Sequence, residues 1–437
     1  MEFLIKIKIW NNKYADGMFN YKNDNNNEFK IKYFNFGLKD KNCLLIKTID
    51  NDIISINNLR ELNSNNSNEI LFRIRKSLKN NIYEVINPII ENKINTKEYN
   101  DNYLNDKIWY PVKSLRKDSE GNNQNYSLTI NDIIKLGKRK YIVNKLYFAL
   151  EEEKENNKGD NYNKNDNISY ISSINKNSKS IFNIDIKDNQ YIINNKKISL
   201  NNKKVNVINE KQFKNSNMNK NLSENESNND NYNDSKNGNE YIKCYKCLNS
   251  DSDRNNPLIC LCNCRNYIHY ECLKKFLNSK IKVIENYKKT VKTYICENFI
   301  CDLCFKPYHL RFRIPEFDKS YELIELTIPE KTDYICLESF DFIINNKNIK
   351  LLHIVQLIEQ EITIGRQGNN DIIDNDASIS REHTVFRYNK NNRNLFLEDK
   401  NGKYGTLVLV RGNIKIKKEK TFFQIGNSYI SMELKDN

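Results

Sequence analysis

The residues best suited to chemistry in this chain are sulfur and nitrogen donors crowded into one stretch. Of 11 cysteines, nine lie between Cys244 and Cys304, and the others are Cys43 and Cys336. The cluster reads Cys244-x2-Cys247, then Cys260-x-Cys262-x-Cys264, His269-x2-Cys272 and Cys301-x2-Cys304, with Cys296 just upstream. A two-residue gap lets a tight turn aim two donors at one ion, and zinc prefers tetrahedral sets of thiolate and imidazole. Four such pairs supply eight ligands, enough for two closed sites. A closed site has no open position for an activated water, so two Zn2+ ions here would be structural. Such clustering argues against a disulfide framework, which spreads cysteines through a secreted domain. It points to a reducing compartment, cytoplasmic or nuclear.

A second set of polar residues lies toward the C-terminus: Ile364-Gly365-Arg366, Ser380-Arg381-Glu382-His383 and Lys403-Tyr404-Gly405-Thr406. They fall between short apolar runs bounded by turn residues. These runs are Tyr334-Ile-Cys-Leu337, Lys350-Leu-Leu-His-Ile354, Ile362-Thr-Ile364, Thr384-Val-Phe-Arg-Tyr388, Leu395-Phe-Leu397, Thr406-Leu-Val-Leu-Val410 and Tyr429-Ile-Ser-Met432. Regular short strands of this kind predict a β-sandwich with the three motifs on its loops. In this order and at these intervals the motifs resemble those of forkhead-associated (FHA) domains, over about the last hundred residues. The resemblance implies binding of phosphothreonine, with Arg366, Ser380 and Arg381 holding the phosphate and Lys403 lining the pocket beside the threonine methyl. It also implies that Gly365 and His383 shape the loops. Tyr404 stands where many FHA domains place an asparagine that bonds the peptide backbone. The chemistry is coherent, because a phosphothreonine carries close to two negative charges and three acceptor oxygens. An arginine fork and a hydroxyl on neighbouring loops satisfy such acceptors with charge-assisted hydrogen bonds.

The wording of the cysteine stretch carries a resemblance of its own. Asn256-Pro-Leu-Ile259, Tyr267-Ile-His269, Cys272-Leu-Lys-Lys-Phe-Leu277 and Cys301-Asp-Leu-Cys304-Phe-Lys-Pro-Tyr308 are similar to RING-CH fingers of ubiquitin ligases. By that resemblance the ligand pairs interleave: Cys244, Cys247, His269 and Cys272 hold one zinc, and Cys262, Cys264, Cys301 and Cys304 hold the other. The second pair stays open at this level, since Cys260, Cys262 and Cys264 compete for two places. Anchoring on Asn256-Pro-Leu-Ile259 selects Cys262 and Cys264 but shortens the gap before His269; Cys260 and Cys262 nearly restore it. The family also implies a long helix after the sixth ligand, for which Cys272 to Lys289 is the available place. Lys246 stands where these ligases carry an aliphatic contact to the ubiquitin-conjugating enzyme, and Phe276 replaces a common tryptophan. A PHD finger uses the same ligand order and is the rival resemblance, with Phe299 at its aromatic position.

These sites must be held by elements, and composition says where those can be. Hydrophobic residues are 38% of 437 and net charge is +14, with a mean hydropathy of −0.78, so part of the length cannot form packed core. The charge is scattered through asparagine–lysine text without forming a stripe, which argues against nucleic acid as a partner. Residues 1–150 read as β-rich, with Phe3, Ile5, Ile7 and Ile9 at strand period and a short meander from Leu128 to Val143. Leu71 to Leu78 fits a helix or a strand. Ile133 to Leu136 with Gly137 resembles the closing strands of an FHA domain, marking 1–150 as a degenerate relative. Residues 151–240 are an Asn/Lys-rich linker expected to be disordered, with transient strands at Ser180–Ile186 and Tyr191–Leu200. The finger occupies 241–310 and the FHA sandwich 332–437. The expected architecture is therefore multidomain, α+β and β. No run of 18 apolar residues predicts a membrane span, and the alternating N-terminus is not a signal peptide.

Two functions follow. One is a RING-type ubiquitin ligase that recruits threonine-phosphorylated partners through its FHA domain and positions a ubiquitin-conjugating enzyme. The other is a non-enzymatic phosphopeptide adaptor with a structural or PHD-like finger.

Overall fold

The computed structural model describes residues 2–10, 17–22, 28–37, 42–47, 53–56, 69–76, 83–86, 104, 107–114, 126–149, 184–185, 191–193, 196–199, 206–207, 242–262, 264, 266–314, 317–416 and 419–435. Most of the expected linker lies outside these residues. Two compact units emerge. One comprises residues 1–181, 282–297 and 327–437, the other 182–281 and 298–326.

The first unit holds two β-sandwiches joined by one continuous sheet. Chain order suggests that each sandwich is built from its own stretch of sequence, but the closing strands are exchanged. Strands Ile133–Leu136 and Arg139–Tyr147 insert between Tyr334–Ser339 and Thr406–Leu409. Reciprocally, Thr421–Ile425 and Ser428–Lys435 insert between Ile108–Pro111 and Glu2–Trp10. Ile108–Pro111 pairs directly with Thr406–Leu409, so the strand order reads the same outward from that central pair. The facing sheets repeat the relationship. Ile414–Lys415 joins Tyr83–Ile86 of the first sandwich, and Tyr126–Ser127 joins Asn394–Asp399 of the second.

The cores record the exchange. One contains Ile5, Ile7, Phe72, Ile74 and Val85 together with Ile414, Phe423, Ile430 and Met432. The other contains Ile134, Leu136, Tyr141 and Val143 together with Ile335, Leu337, Ile362, Phe386 and Leu397. Each hairpin supplies its host with alternate side chains on one pleated face. At about 1.5–3 kcal/mol for each fully buried large apolar side chain, four such residues rival the 5–15 kcal/mol net stability of a whole domain.

The apolar runs expected near the C-terminus are strands at Tyr334–Ser339, Lys347–Gln356, Glu361–Gly365, Thr384–Asn389, Asn394–Asp399, Thr406–Leu409 and Ser428–Lys435. The ambiguous segment near Leu71 is the strand Glu69–Lys76.

The second unit carries the eight cysteine and histidine residues expected to bind zinc. Its helix spans Tyr270–Asn278 and buries Tyr270, Leu273 and Leu277. The expected long helix from Cys272 to Lys289 is a correction: the helix stops at Asn278, and Ile281–Glu285 and Val291–Glu297 are strands. The cause is the β-branched alternation of Val291, Thr293 and Ile295, which pairs along Lys347–Gln356 and belongs to the first unit. Within residues 151–240, short strands at Ile184–Asp185, Tyr191–Ile193, Lys196–Ser199 and Asn206–Val207 are described. The first pairs with Arg311–Ile314 and the second with Leu258–Ile259.

Candidate functional site

In the second sandwich, two chain crossings bring the polar motifs to one end. The loop after Glu361–Gly365 lies against the loop before Thr384–Asn389 through two backbone bonds. Arg366 N–H donates to the Ser380 carbonyl at 3.0 Å and Gln367 N–H to the Arg381 carbonyl at 3.1 Å. This approach requires glycine at 365, because a Cβ there would sit 2.1 Å from the Arg381 carbonyl oxygen. Asn370 Nδ2 closes the corner, donating to the Gln367 and Arg381 carbonyls at 2.7 and 2.8 Å.

His383 ties in the third loop. Its Nδ1 accepts from Ser380 N–H at 3.0 Å and its Nε2 donates to the Gly405 carbonyl at 3.1 Å, which fixes the neutral tautomer. Burial, chiefly, holds its pKa below the ordinary value. Ser380 Oγ accepts from Lys403 N–H at 3.1 Å, leaving its own proton free to donate outward.

The result is a basin of about 390 Å3. The structure brings Arg366, Ser380, Arg381, Lys403 and Tyr404 to its walls together. Lys22, Lys400, Asn401 and Glu382 join them. Among the described residues no carboxylate pairs with Lys22, Arg366, Arg381 or Lys403, whereas Lys400 lies 3.4 Å from Glu398. Tyr404 also turns to Trp10 of the first sandwich, with ring centroids 6.0 Å apart. Lys22 escaped the sequence reading because it sits in ordinary Asn/Lys text far along the chain, with no local signal.

A buried ion pair steadies the loop before Ser380. Arg139, at the tip of the exchanged hairpin, reaches Asp374 at 3.0 Å and Asp376 at 3.4 Å. Tyr141 also donates its hydroxyl to Asp374. Gly137 packs on Ser378, and Lys138 N–H donates to Ser378 Oγ at 2.8 Å. No motif flagged these residues either, since their partners are known only once the hairpin is placed.

In the second unit the donors form two groups: Cys244, Cys247, His269 and Cys272, and Cys262, Cys264, Cys301 and Cys304. Within each, one ligand atom per residue lies within 4.8 Å of all the others. Cys260 turns away, donating its thiol to the Cys262 carbonyl at 3.1 Å. His269 Nδ1 faces Cys247 Sγ at 3.2 Å while Nε2 meets the Asp251 carbonyl, so a backbone acceptor orients the imidazole for ligation.

The two knuckles are built alike. Leu248 N–H donates to the Cys244 carbonyl at 2.8 Å and Phe305 N–H to the Cys301 carbonyl at 2.9 Å, and both Leu248 and Phe305 take positive φ. Burial pushes the Cys301 thiol up, but the amides of Cys304 and Leu303 outweigh it and hold it at about 6. Cys244 is held at about 7 in the same way by the amides of Cys247, His269 and Lys246. Groups so arranged fit a tetrahedral cation such as zinc, which would cross-link the segments that carry them.

Residues 362–426 match the family model described as the FHA domain. No curated protein matches the chain. Among solved structures, "Mycobacterium tuberculosis EmbR in complex with low affinity phosphopeptide" is similar at 18% identity, covering 19% of this chain and 22% of that one, with a TM-score of 0.11. No helix among the described residues is long and apolar enough to cross a membrane.

Proposed function

We propose that this protein reads phosphothreonine peptides through the basin at the end of its second sandwich and that its finger is a two-zinc scaffold. The observation that carries the reading is the basin itself, where unpaired guanidinium groups of Arg366 and Arg381 flank a Ser380 hydroxyl with a free proton. Inside an FHA domain match, that arrangement offers a dianionic phosphate its charge-assisted donors. Arg366→Ala should weaken binding of a phosphothreonine peptide to the full chain by about 2 kcal/mol, roughly thirtyfold. Unchanged calorimetric titrations would remove Arg366 from the site. The first sandwich repeats the strand order without these motifs, and we take it as a degenerate relative.

Ubiquitin transfer is the finer reading. The interleaved donor groups support it, as does the apolar surface on the knuckles, where Leu248, Leu303 and Phe305 are 71%, 56% and 70% exposed. Such residues could dock a conjugating enzyme, and catalysis would be positioning of its thioester. Lys246 bears on the adaptor alternative, because it pairs with Asp302 at 3.5 Å and lies 4.2 Å over the Phe276 ring. Full chain incubated with ubiquitin, activating enzyme and a panel of conjugating enzymes decides between them. Chains that disappear with Leu303→Ala identify a ligase, and no chains with any enzyme identify an adaptor.

A further inference from the structure

We propose that Lys22, carried by the first sandwich, is a specificity residue of the phosphopeptide basin and reads an acidic group beside the phosphothreonine. The inference rests on the phosphopeptide reading above and narrows its ligand class.

Charge is the first reason. The basin is lined by five cations, Lys22, Arg366, Arg381, Lys400 and Lys403, against one carboxylate, Glu382, and of the five Lys400 is paired with Glu398 outside the lining. A phosphothreonine brings close to two negative charges. A ligand that matches the basin therefore carries further negative charge next to the phosphate, from an aspartate, a glutamate or a second phosphorylated residue.

Placement is the second. Lys22 is exposed, but its backbone is strapped to the recognition loop by its neighbours. Tyr21 N–H donates to the Lys403 carbonyl at 2.9 Å, and the Tyr21 ring lies where a Cβ on Gly405 would be 3.0 Å away. Tyr21 donates its hydroxyl to Gln424 at 2.7 Å, and Lys113 Nζ sits 3.8 Å over its ring. Asn20 Oδ1 accepts from Lys22 N–H at 3.1 Å. Upstream, the Gly17 carbonyl accepts from Lys135 Nζ at 2.7 Å and from Gln424 Nε2 at 3.0 Å. The strap is thus fixed at both ends, and Lys22 emerges from it into the basin with no carboxylate partner among the described residues. Its charge is one of the smaller causes, after burial, that keep His383 neutral.

Tyr404 supplies the third. Its ring packs with Trp10, in the cluster that also holds Met18, Phe19 and Tyr21. The third loop therefore leans on the first sandwich, and the same contact that takes up Tyr404 delivers Lys22.

The test uses the full chain and fluorescent peptides with a central phosphothreonine flanked by alanines. In variants, glutamate or phosphoserine replaces one alanine at a time. Wild type should bind the acidic peptide at one favoured position roughly tenfold tighter than the alanine peptide. Lys22→Ala should abolish that preference, weakening the acidic peptide by a clearly larger factor than the alanine peptide. Lys22→Arg should restore it, and Lys22→Glu should turn it into a penalty. Equal tightness for all peptides on wild type, or an equal loss for all of them in Lys22→Ala, overturns the inference while the phosphopeptide reading stands. Failure of wild type to bind any phosphopeptide, or indifference of the alanine peptide to Arg366→Ala, overturns that reading and the inference with it.

Discussion

The two sandwiches of the first unit share a strand order and exchange their closing hairpins, yet the loops that form the proposed phosphate basin belong to the second. The second has Gly365-Arg366 and Ser380-Arg381 on adjoining loops, with His383 buried beneath them. The first, built from residues before Pro111 and after Leu409, contains no histidine and neither a Gly-Arg nor a Ser-Arg pair. What the first retains is structural service: it receives the hairpin of its neighbour, lends its own, and holds the strap from which Lys22 reaches the basin. A basin assembled this way draws on residues from distant parts of the chain.

The largest expected effect comes from breaking the exchange. Residues 332–437 alone lack Ile134, Leu136, Tyr141 and Val143, which are 2% exposed or less in the core of the second sandwich. By the burial estimate of about 1.5–3 kcal/mol for each, that loss cancels the stability of the sandwich. The isolated fragment should show no cooperative thermal transition by circular dichroism, and a sharp transition would mean that the hairpins are interchangeable.

Next comes the brace at the tip of the hairpin. Arg139→Ala leaves Asp374 buried without its cation and should cost about 3–5 kcal/mol in urea unfolding. A second change, Asp374→Leu, should recover much of it, because the cost lies in the unpaired charge. Additive losses would show that the pair does not act as one unit.

The smallest effect distinguishes the two sandwiches by pH. Burial lowers His353 to about 4, and burial also lowers His383. Unfolded histidine titrates near ~6.5. Between those values the unfolded chain takes up protons that the folded chain refuses, so stability is full above about 6.5 and falls as pH drops toward 4. Hydrogen exchange, corrected for intrinsic rates, should show protection falling across Thr384–Asn389 from pH 7 to pH 5 and holding at Ile5 to Ile9. Equal loss in both would place the sensitivity elsewhere.

Much of this was legible in the residues. Cysteine spacing predicted eight donors, and the structure gathers those residues into two groups of four. The three loop motifs were readable because a phosphate site needs particular side chains at short range, and short range is what a sequence displays. Less legible was the segment after Asn278, where the RING-CH resemblance implied a helix as far as Lys289. Its β-branched residues found a strand partner in Lys347–Gln356 instead.

The sequence by itself determined which faces are apolar, which turns hold the donors and which loops bear arginine and serine. Alternation with a period of two says which side of a strand is buried but not beside which strand it lies. Only tertiary packing decided that Ile133–Leu136 completes the second sandwich and Thr421–Ile425 the first, because hairpins of similar pattern compete for equivalent gaps and complementarity across the whole core selects between them. Lys22 belongs to the same class. A cation acquires a role from the field it enters, and that field is assembled only after strands from both ends of the chain have met.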